Sequence, residues 1–511
     1  MKRNTTLVAL ATCASAIAGL AVLGSAPASA DPTPATPYRV LVLQGSDTTQ
    51  DVMNGFAVDI TASGSDYRNS GLLQAAAAAG DSQVKMSMLP AVGDSITIGT
   101  GGSAETFTVS AVTPASANTL SATPGNAVNF NLVTLSGSLA NAHSAQEIVV
   151  GPFLAAGTKP IASYNSVGGA FQSKANPNCQ YIANNGGPNS TAYNGTTQGG
   201  SVQAGTLANS NFLSGGRANG PGLGASSLGD SFTPSSPLFG CTDVGRASSK
   251  RSNVTGLGAG NAVNIPFAID AVDFAVTTTS NFSRKLSPTQ LKAIYRCTFS
   301  VMIPATTVIP AGTSTQAYAA ANGLLYATLP QAGSGTRSFV VGALGLTESA
   351  TLSSGNTGAA CITDKTPNGA TLEEHNLVTL DDNGIGVTSI AQSIAQRAQA
   401  ITGVTDKQGR TVLVAVDNTA TANGGTAVNN GRLTYATAMT SQFGGGSGTT
   451  AGAMVLWRDV FNVVPLQRLQ DPNIQKAFVG PTSSVCGDTD GVLGQYGFAP
   501  NPSCGITTNV G

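Results

Sequence analysis

Residues 333–339 read GSGTRSF, a glycine-led turn that runs into the apolar stretch SFVVGALGL (338–346). A turn of this kind opens a helix whose first backbone N–H groups lack partners within the helix and converge on one point. The helix dipole adds partial positive charge there. Ser334, Gly335 and Thr336 bring backbone and hydroxyl donors, and Arg337 a planar fork suited to an oxyanion. The competing reading is a plain loop with an N-cap serine and a solvated arginine, since short Gly/Ser turns are common.

A second stretch repeats the arrangement. YRVLVLQ (38–44) reads as a strand, and GSDTTQDVMNGFAVDI (45–60) follows it, with Ser46 or Asp47 placed to cap a helix beginning near Thr48. Elsewhere, LSPTQLKAIY (286–295) carries a complete helix start, with Ser287 at the N-cap, Pro288 behind it and Gln290 closing a capping box. VNIPFAIDAVDFAVTTTSNF (263–282) is an apolar run of the kind buried strands require. NGIGVTSIAQSIAQRAQAI (383–401) reads as strand then helix, and TVLVAVDN (411–418) and AMVLWRDVFNVVP (453–465) as further strands. Strand and helix in alternation predict an α/β architecture with largely parallel sheets.

Two segments break this texture. Between about 72 and 152 the chain shows short alternating strands divided by Gly-Asp and Gly-Gly turns, with no helical period. Its GDSITIG (93–99), AETFTVSAV (104–112) and LANAHS (139–144) resemble a small β-module of exported actinobacterial proteins, in which His143 is structural. Residues 172–236 are rich in Asn, Gly, Ser and Pro and read as irregular loop.

Composition narrows the function. Of 511 residues only 10% are charged, 41% are apolar and 62 are glycine, so the surface must be covered mainly by small uncharged polar residues. A net charge of −1 offers no basic field for nucleic acid or an anionic membrane. The first thirty residues show a basic start (MKRN), an apolar run (TLVALATCASAIAGLAVL) and ASA before Asp31, which together read as a cleaved signal peptide. A lipid anchor at Cys13 is the weaker alternative, because LATC lies too early in the apolar run. The expected product is secreted, in the medium or at the cell wall, without stable membrane insertion. Six cysteines remain after cleavage, an even number that argues for disulfides. Pairing of neighbours, Cys179–Cys241, Cys297–Cys361 and Cys486–Cys504, is expected because each pair closes a loop within one region.

The motifs of catalysis are missing. No P-loop, dinucleotide fingerprint or nucleophile elbow occurs, and the chain has only two histidines. His375, in EEHN (373–376), reads as a satisfied structural histidine, and the pairs Glu373–Glu374 and Asp381–Asp382 as solvated turns. No enzyme, metal or cofactor is expected.

The set VLQGSDTTQDVMNG, GCTDVGRASS, FAIDAVDFAV, LSPTQLKAIY and PQAGSGTRSF resembles the substrate-binding component of phosphate-type ABC transporters, in its actinobacterial branch. The resemblance implies an α/β, two-lobed type 2 periplasmic-binding-protein fold that closes on phosphate or a related oxyanion and delivers it to an ABC permease. It implies lobe one from 31–71 and 153–280 with a return at 436–511, lobe two from 281–435, and a β-rich insertion at 72–152. Carried over by residue, the binding set is Ser46, Asp47, Thr48 and Thr49 from the first turn, Arg246, Ser248 and Ser249 from the middle segment, and Ser334, Gly335, Thr336 and Arg337 from the last. Two positions depart from the family. Ser248 stands where an aspartate accepts the proton of hydrogen phosphate, and Pro221, in NGPGLG (219–224), replaces a serine. The alternative function is a secreted or wall-associated binding protein of the same fold that has lost transport.

Overall fold

The computed structural model describes residues 38–115, 130–165, 174, 179, 218, 220–236, 238–347, 359–370, 372–398, 401, 403–416, 454–488 and 490–508. The expected signal segment and most of the Asn/Gly-rich stretch lie outside them.

The architecture is mixed α/β, organised on one long strand. Ala262–Thr277 is sixteen residues long and every one is buried, so both of its faces are covered, as the unbroken apolar run requires. Its first half packs Val263, Ile265, Phe267 and Ala268 into one core, shared with Leu41, Val52, Phe56 and Ile474. Its second half packs Ala271, Val272, Phe274 and Val276 into another, shared with Leu291, Tyr326, Val340 and Ile385. Trp457–Pro465 runs antiparallel beside it from Ala262↔Pro465 to Ala271↔Trp457, with a register shift between Pro266 and Ala268.

The sheet is mixed, which corrects the expectation of largely parallel pairing. Leu41–Gly45 pairs in parallel with Ile161–Ser163 and with Val244–Ala247. Tyr326–Thr328 pairs in parallel with Ile362–Thr363 and with Gly384–Ser389. Every strand on Ala262–Thr277, however, is antiparallel to it. Alternation of strand and helix predicts the local parallel units. It cannot foresee two long strands that traverse both cores in opposite directions.

Residues Arg68–Phe153 contain a six-stranded antiparallel sheet with its own core of Val84, Met86, Ile96, Ile98, Val109, Val133 and Val149. A bridge between Leu73 and Met86 joins the two ends of this sheet. His143 is structural here, 2.8 Å from Glu147 and 3.1 Å from Glu105.

Two local expectations change. Pro221–Phe232, within the stretch read as loop, is a helix with Pro221 in its first turn. Its Gly224 and Gly229 let it approach neighbouring backbone closely, which a composition-based loop assignment mistakes for flexibility. The turn after Leu41–Gly45 forms a 3-10 turn, Asp47–Thr49, followed by the helix Gln50–Asp59, and neither Ser46 nor Thr49 caps it with a side chain. The capping box of Ser287 and Gln290 is present as expected. The disulfides are Cys179–Cys241, Cys297–Cys361 and Cys486–Cys504.

Candidate functional site

Both glycine turns meet at one buried point. Gly45 takes φ +130°, and a side chain there would strike the Arg246 carbonyl oxygen at 2.4 Å. Only glycine lets the chain leave its strand and present Ser46–Thr49 at the strand end. The second turn opens the helix Gly335–Ala343, where the Ser334 side chain accepts the Arg337 N–H. Thr48 Oγ1 and Thr336 Oγ1, one from each turn, lie 3.3 Å apart.

What fills the junction is a carboxylate of the chain itself. Glu374 Oε1 accepts a very short hydrogen bond from Ser334 Oγ and another from the Thr336 N–H at 3.2 Å. Glu374 Oε2 accepts from Thr48 Oγ1 at 3.0 Å. Beside it, His375 Nδ1 accepts the Ser389 N–H at 3.0 Å, which puts the imidazole proton on Nε2 and makes that atom the donor to Thr48 Oγ1 at 2.9 Å. His375 holds φ +56°, the left-handed region that costs a residue with a side chain.

A cation enters from the paired long strands. Asp270 and Arg458 are directly opposite in the register and therefore share a face of the sheet. Arg458 Nη2 is 3.0 Å from Asp270 Oδ2 and donates to Thr336 Oγ1 at 2.8 Å and to Thr48 Oγ1 at 3.4 Å. Ser389 Oγ donates to the other Asp270 oxygen at 2.6 Å.

Burial dominates the electrostatics. It raises Asp47 well above the usual carboxylate range, and the nearby Glu374 pushes the same way. Burial pushes Glu374 up as well, but the Asp47 hydrogen bond, His375, the Ser334 hydroxyl and Arg458 outweigh it and leave the carboxyl at about 2. Burial lowers His375 to about 4, with Glu374 opposing and Arg458 and Lys407 assisting. At neutral pH Glu374 is ionised and His375 neutral, beside the Arg458–Asp270 pair. Asp47, Glu374 and His375 present ligand atoms within 4.8 Å of one another, but Glu374 and His375 are already engaged with the hydroxyl and amide donors described above.

The expected residues divide in two. Asp47, Thr48, Ser334 and Thr336 surround Glu374, with Gly335 between the last two in the chain. Ser248 Oγ lies against Gly335, 2.2 Å from where a β-carbon would sit. Ser46 and Ser248 are fully buried, and their hydroxyls find no partner among the described residues. Thr49 donates to the Ser46 carbonyl at 3.4 Å, and Ser249 accepts from Arg251 at 3.0 Å. Arg246 is buried and donates to Ser163 Oγ at 2.5 Å and to the Tyr164 carbonyl at 2.7 Å. Arg337 is buried too, not solvated, and its Nη1 lies 3.1 Å from both Asp364 Oδ2 and the Pro330 carbonyl.

Reading the sequence missed Glu374, Arg458, Asp270 and Ser389. Glu374 is 2% exposed rather than on a solvated turn, a correction with a plain cause: hydroxyls and a helix N-terminus compensate its burial. Its neighbour Glu373 does face Lys407, at 3.2 Å. His375 is a satisfied histidine, as expected, but its satisfied contacts are those of the site.

The chain matches no family model and no curated protein. Among solved structures it is similar to an ABC-type phosphate transport receptor from Vibrio cholerae, at 14% identity and a TM-score of 0.30, covering 56% of this chain and 87% of the other. A phosphate-binding protein from Stenotrophomonas maltophilia is 14% identical with a TM-score of 0.29, covering 55% and 81%. A human phosphate-binding apolipoprotein is 13% identical with a TM-score of 0.32, covering 56% and 84%. At these scores the functional reading has to rest on the site itself. Among the described residues no helix is long and apolar enough to cross a membrane.

Proposed function

We propose that this chain is a secreted, two-lobed solute-binding protein that captures phosphate or a related oxyanion and hands it to an ABC permease. One observation carries the reading. Two turns 288 residues apart build a buried set of hydroxyl and amide donors around an anion, and the hydroxyls of Ser46, in the first turn, and Ser248, against Gly335 of the second, have no partner among the described residues. Such a donor set stabilises negative charge without needing a formal cation in contact. In this reading Ser46, Thr48, Ser248, Ser334, Gly335 and Thr336 hold the ligand, and Arg458 supplies the positive field. The lobes are 31–71 with 153–280 and 436–511, and 281–435, with 72–152 inserted.

The second reading, a binding protein of this fold that no longer serves transport, is favoured by one specific fact. Arg337, the cation next to the turn, is committed to Asp364. Calorimetric titration of the mature chain with phosphate, sulfate and arsenate tests the proposal. Saturable binding of phosphate and arsenate is expected, and absence of binding by all three rejects it.

A further inference from the structure

Building on the oxyanion reading, we infer that Glu374 is an internal ligand: its carboxylate occupies the donors of the Ser334–Thr336 helix N-terminus, and an external oxyanion must displace it to bind.

The geometry supports this at each oxygen. A carboxylate and a phosphate share the feature that matters here, two oxygens on one centre that accept from convergent donors. Oε1 takes the Ser334 hydroxyl and the Thr336 amide, and Oε2 the Thr48 hydroxyl. These donors come from both glycine turns. A side chain that uses both of them keeps an oxyanion from the donors of the two turns until it withdraws, leaving it only the Ser46 and Ser248 hydroxyls. The tether makes the competition strong, because an attached group acts at a local concentration in the millimolar range.

The surroundings hold Glu374 in place and also give it somewhere to go. Leu372 N–H donates to the Asp364 carbonyl at 2.8 Å and Leu377 N–H to the Lys407 carbonyl at 2.8 Å, so the backbone on both sides is fixed. Between them His375 keeps its strained φ of +56°. Displacement therefore needs only rotation of the Glu374 side chain. A cavity of about 130 Å³ lies next to it, lined by Asp47, Asn165, His375, Gln392 and Lys407 among others. That cavity is polar. Lys407, 3.2 Å from Glu373, and Gln392, which donates to the Thr48 carbonyl at 2.7 Å, line it together with Asp47 and Asp51. A carboxylate swung into it would compete for the Lys407 ammonium. The segment thus has two places for one charge, and the concentration of external anion decides between them.

Calorimetry on the full mature chain tests this with inorganic phosphate as the probe, comparing wild type with Glu374→Ala and Glu374→Gln. The alanine variant is expected to bind phosphate at least tenfold tighter, and the glutamine variant, which keeps the shape but not the charge, several-fold tighter. Formate is expected to raise the melting temperature of Glu374→Ala, to leave wild type unmoved, and to compete with phosphate in the variant. If wild type binds phosphate and neither variant binds it tighter, the internal-ligand inference is wrong while the oxyanion reading stands. If only the variants bind, the inference stands and the wild-type chain is no phosphate carrier. Should the alanine variant fail to fold, the glutamine variant decides alone. Failure of every protein to bind phosphate, with no effect of formate, overturns both.

Discussion

Arg337 follows a glycine turn and pairs with Asp364, whereas Arg458 lies in an apolar strand far from any motif and pairs with Asp270. Both guanidinium groups are buried beside a carboxylate. Yet Arg458 also reaches Thr48 and Thr336 and helps hold Glu374 at a low pKa, while Arg337 closes a contact with Asp364 and the Pro330 carbonyl. Helix geometry explains the difference. Successive residues turn through about 100° around the axis, so the Arg337 side chain leaves the helix in a different direction from that of Thr336, and here it ends on Asp364. A residue adjacent to a binding turn in sequence is thereby directed elsewhere, and the site takes its cation from a distant strand pair.

The largest test of this contrast is Arg337→Ala. Removing the guanidinium leaves Asp364 buried without its partner, which costs about 3–5 kcal/mol, visible as a lower urea midpoint. Asp364→Asn in the same chain should recover part of the loss. Intact stability with weakened phosphate binding would instead return Arg337 to the site, as the sequence reading expects.

Acid titration follows. His375 is lowered from 6.5 to about 4 in the folded state. A depressed pKa gives stability that is present above pH 6.5 and is lost as pH falls toward 4. At about 1.4 kcal/mol per pH unit the loss approaches ~3 kcal/mol. Arg458→Gln should shrink it, because that charge helps to depress His375, and Arg337→Lys should not. NMR titration of His375 in the three proteins reads this directly, and an unperturbed midpoint in wild type would refute it.

Arg458→Lys keeps a positive charge beside Asp270 but loses the fork that joins Asp270 to Thr336. A cost of about 1–3 kcal/mol is expected, with phosphate affinity reduced in parallel. Equal effects at Arg337→Lys on affinity would erase the distinction between the two arginines.

The smallest effect belongs to Ser334→Ala, which removes the cap of Gly335–Ala343 and one donor to Glu374. About 1 kcal/mol of stability should be lost, measured by thermal melting. No loss would mean that the turn is held by other contacts.

Much of the fold was legible because its signals are local. The turn glycines, the Ser287 capping box and the apolar run 263–277 all act over short stretches of chain, and the cysteines pair with their neighbours in sequence order. The meeting of the two turns was expected only from the family resemblance, since the repeated motif by itself says nothing about their distance in space. Glu374 was noticed but assigned to a solvated turn, since a charge pair carries no mark of burial until its partners are known, and His375 was read as a satisfied histidine without its place in the site. Asp270 and Arg458 did leave a trace. Each is a charged residue inside an otherwise apolar strand run, and a buried charge requires a partner. Two such residues of opposite sign in FAIDAVDFAV and VLWRDVF point to each other. Pairing them needs the register between strands, which depends on contacts across nearly two hundred residues and has no local signature.

That register also sets an order of events during synthesis. The strand Ala262–Thr277 is apolar along almost its whole length, and its partner Trp457–Pro465 is made far later. Until the ribosome has passed residue 465, one edge of the longest strand among the described residues is uncovered, a state prone to association with other chains. A polypeptide interrupted before Trp457 would keep that edge permanently open. Timely arrival of the last fifty-odd residues, or a chaperone that shields the edge meanwhile, is therefore part of what makes the molecule.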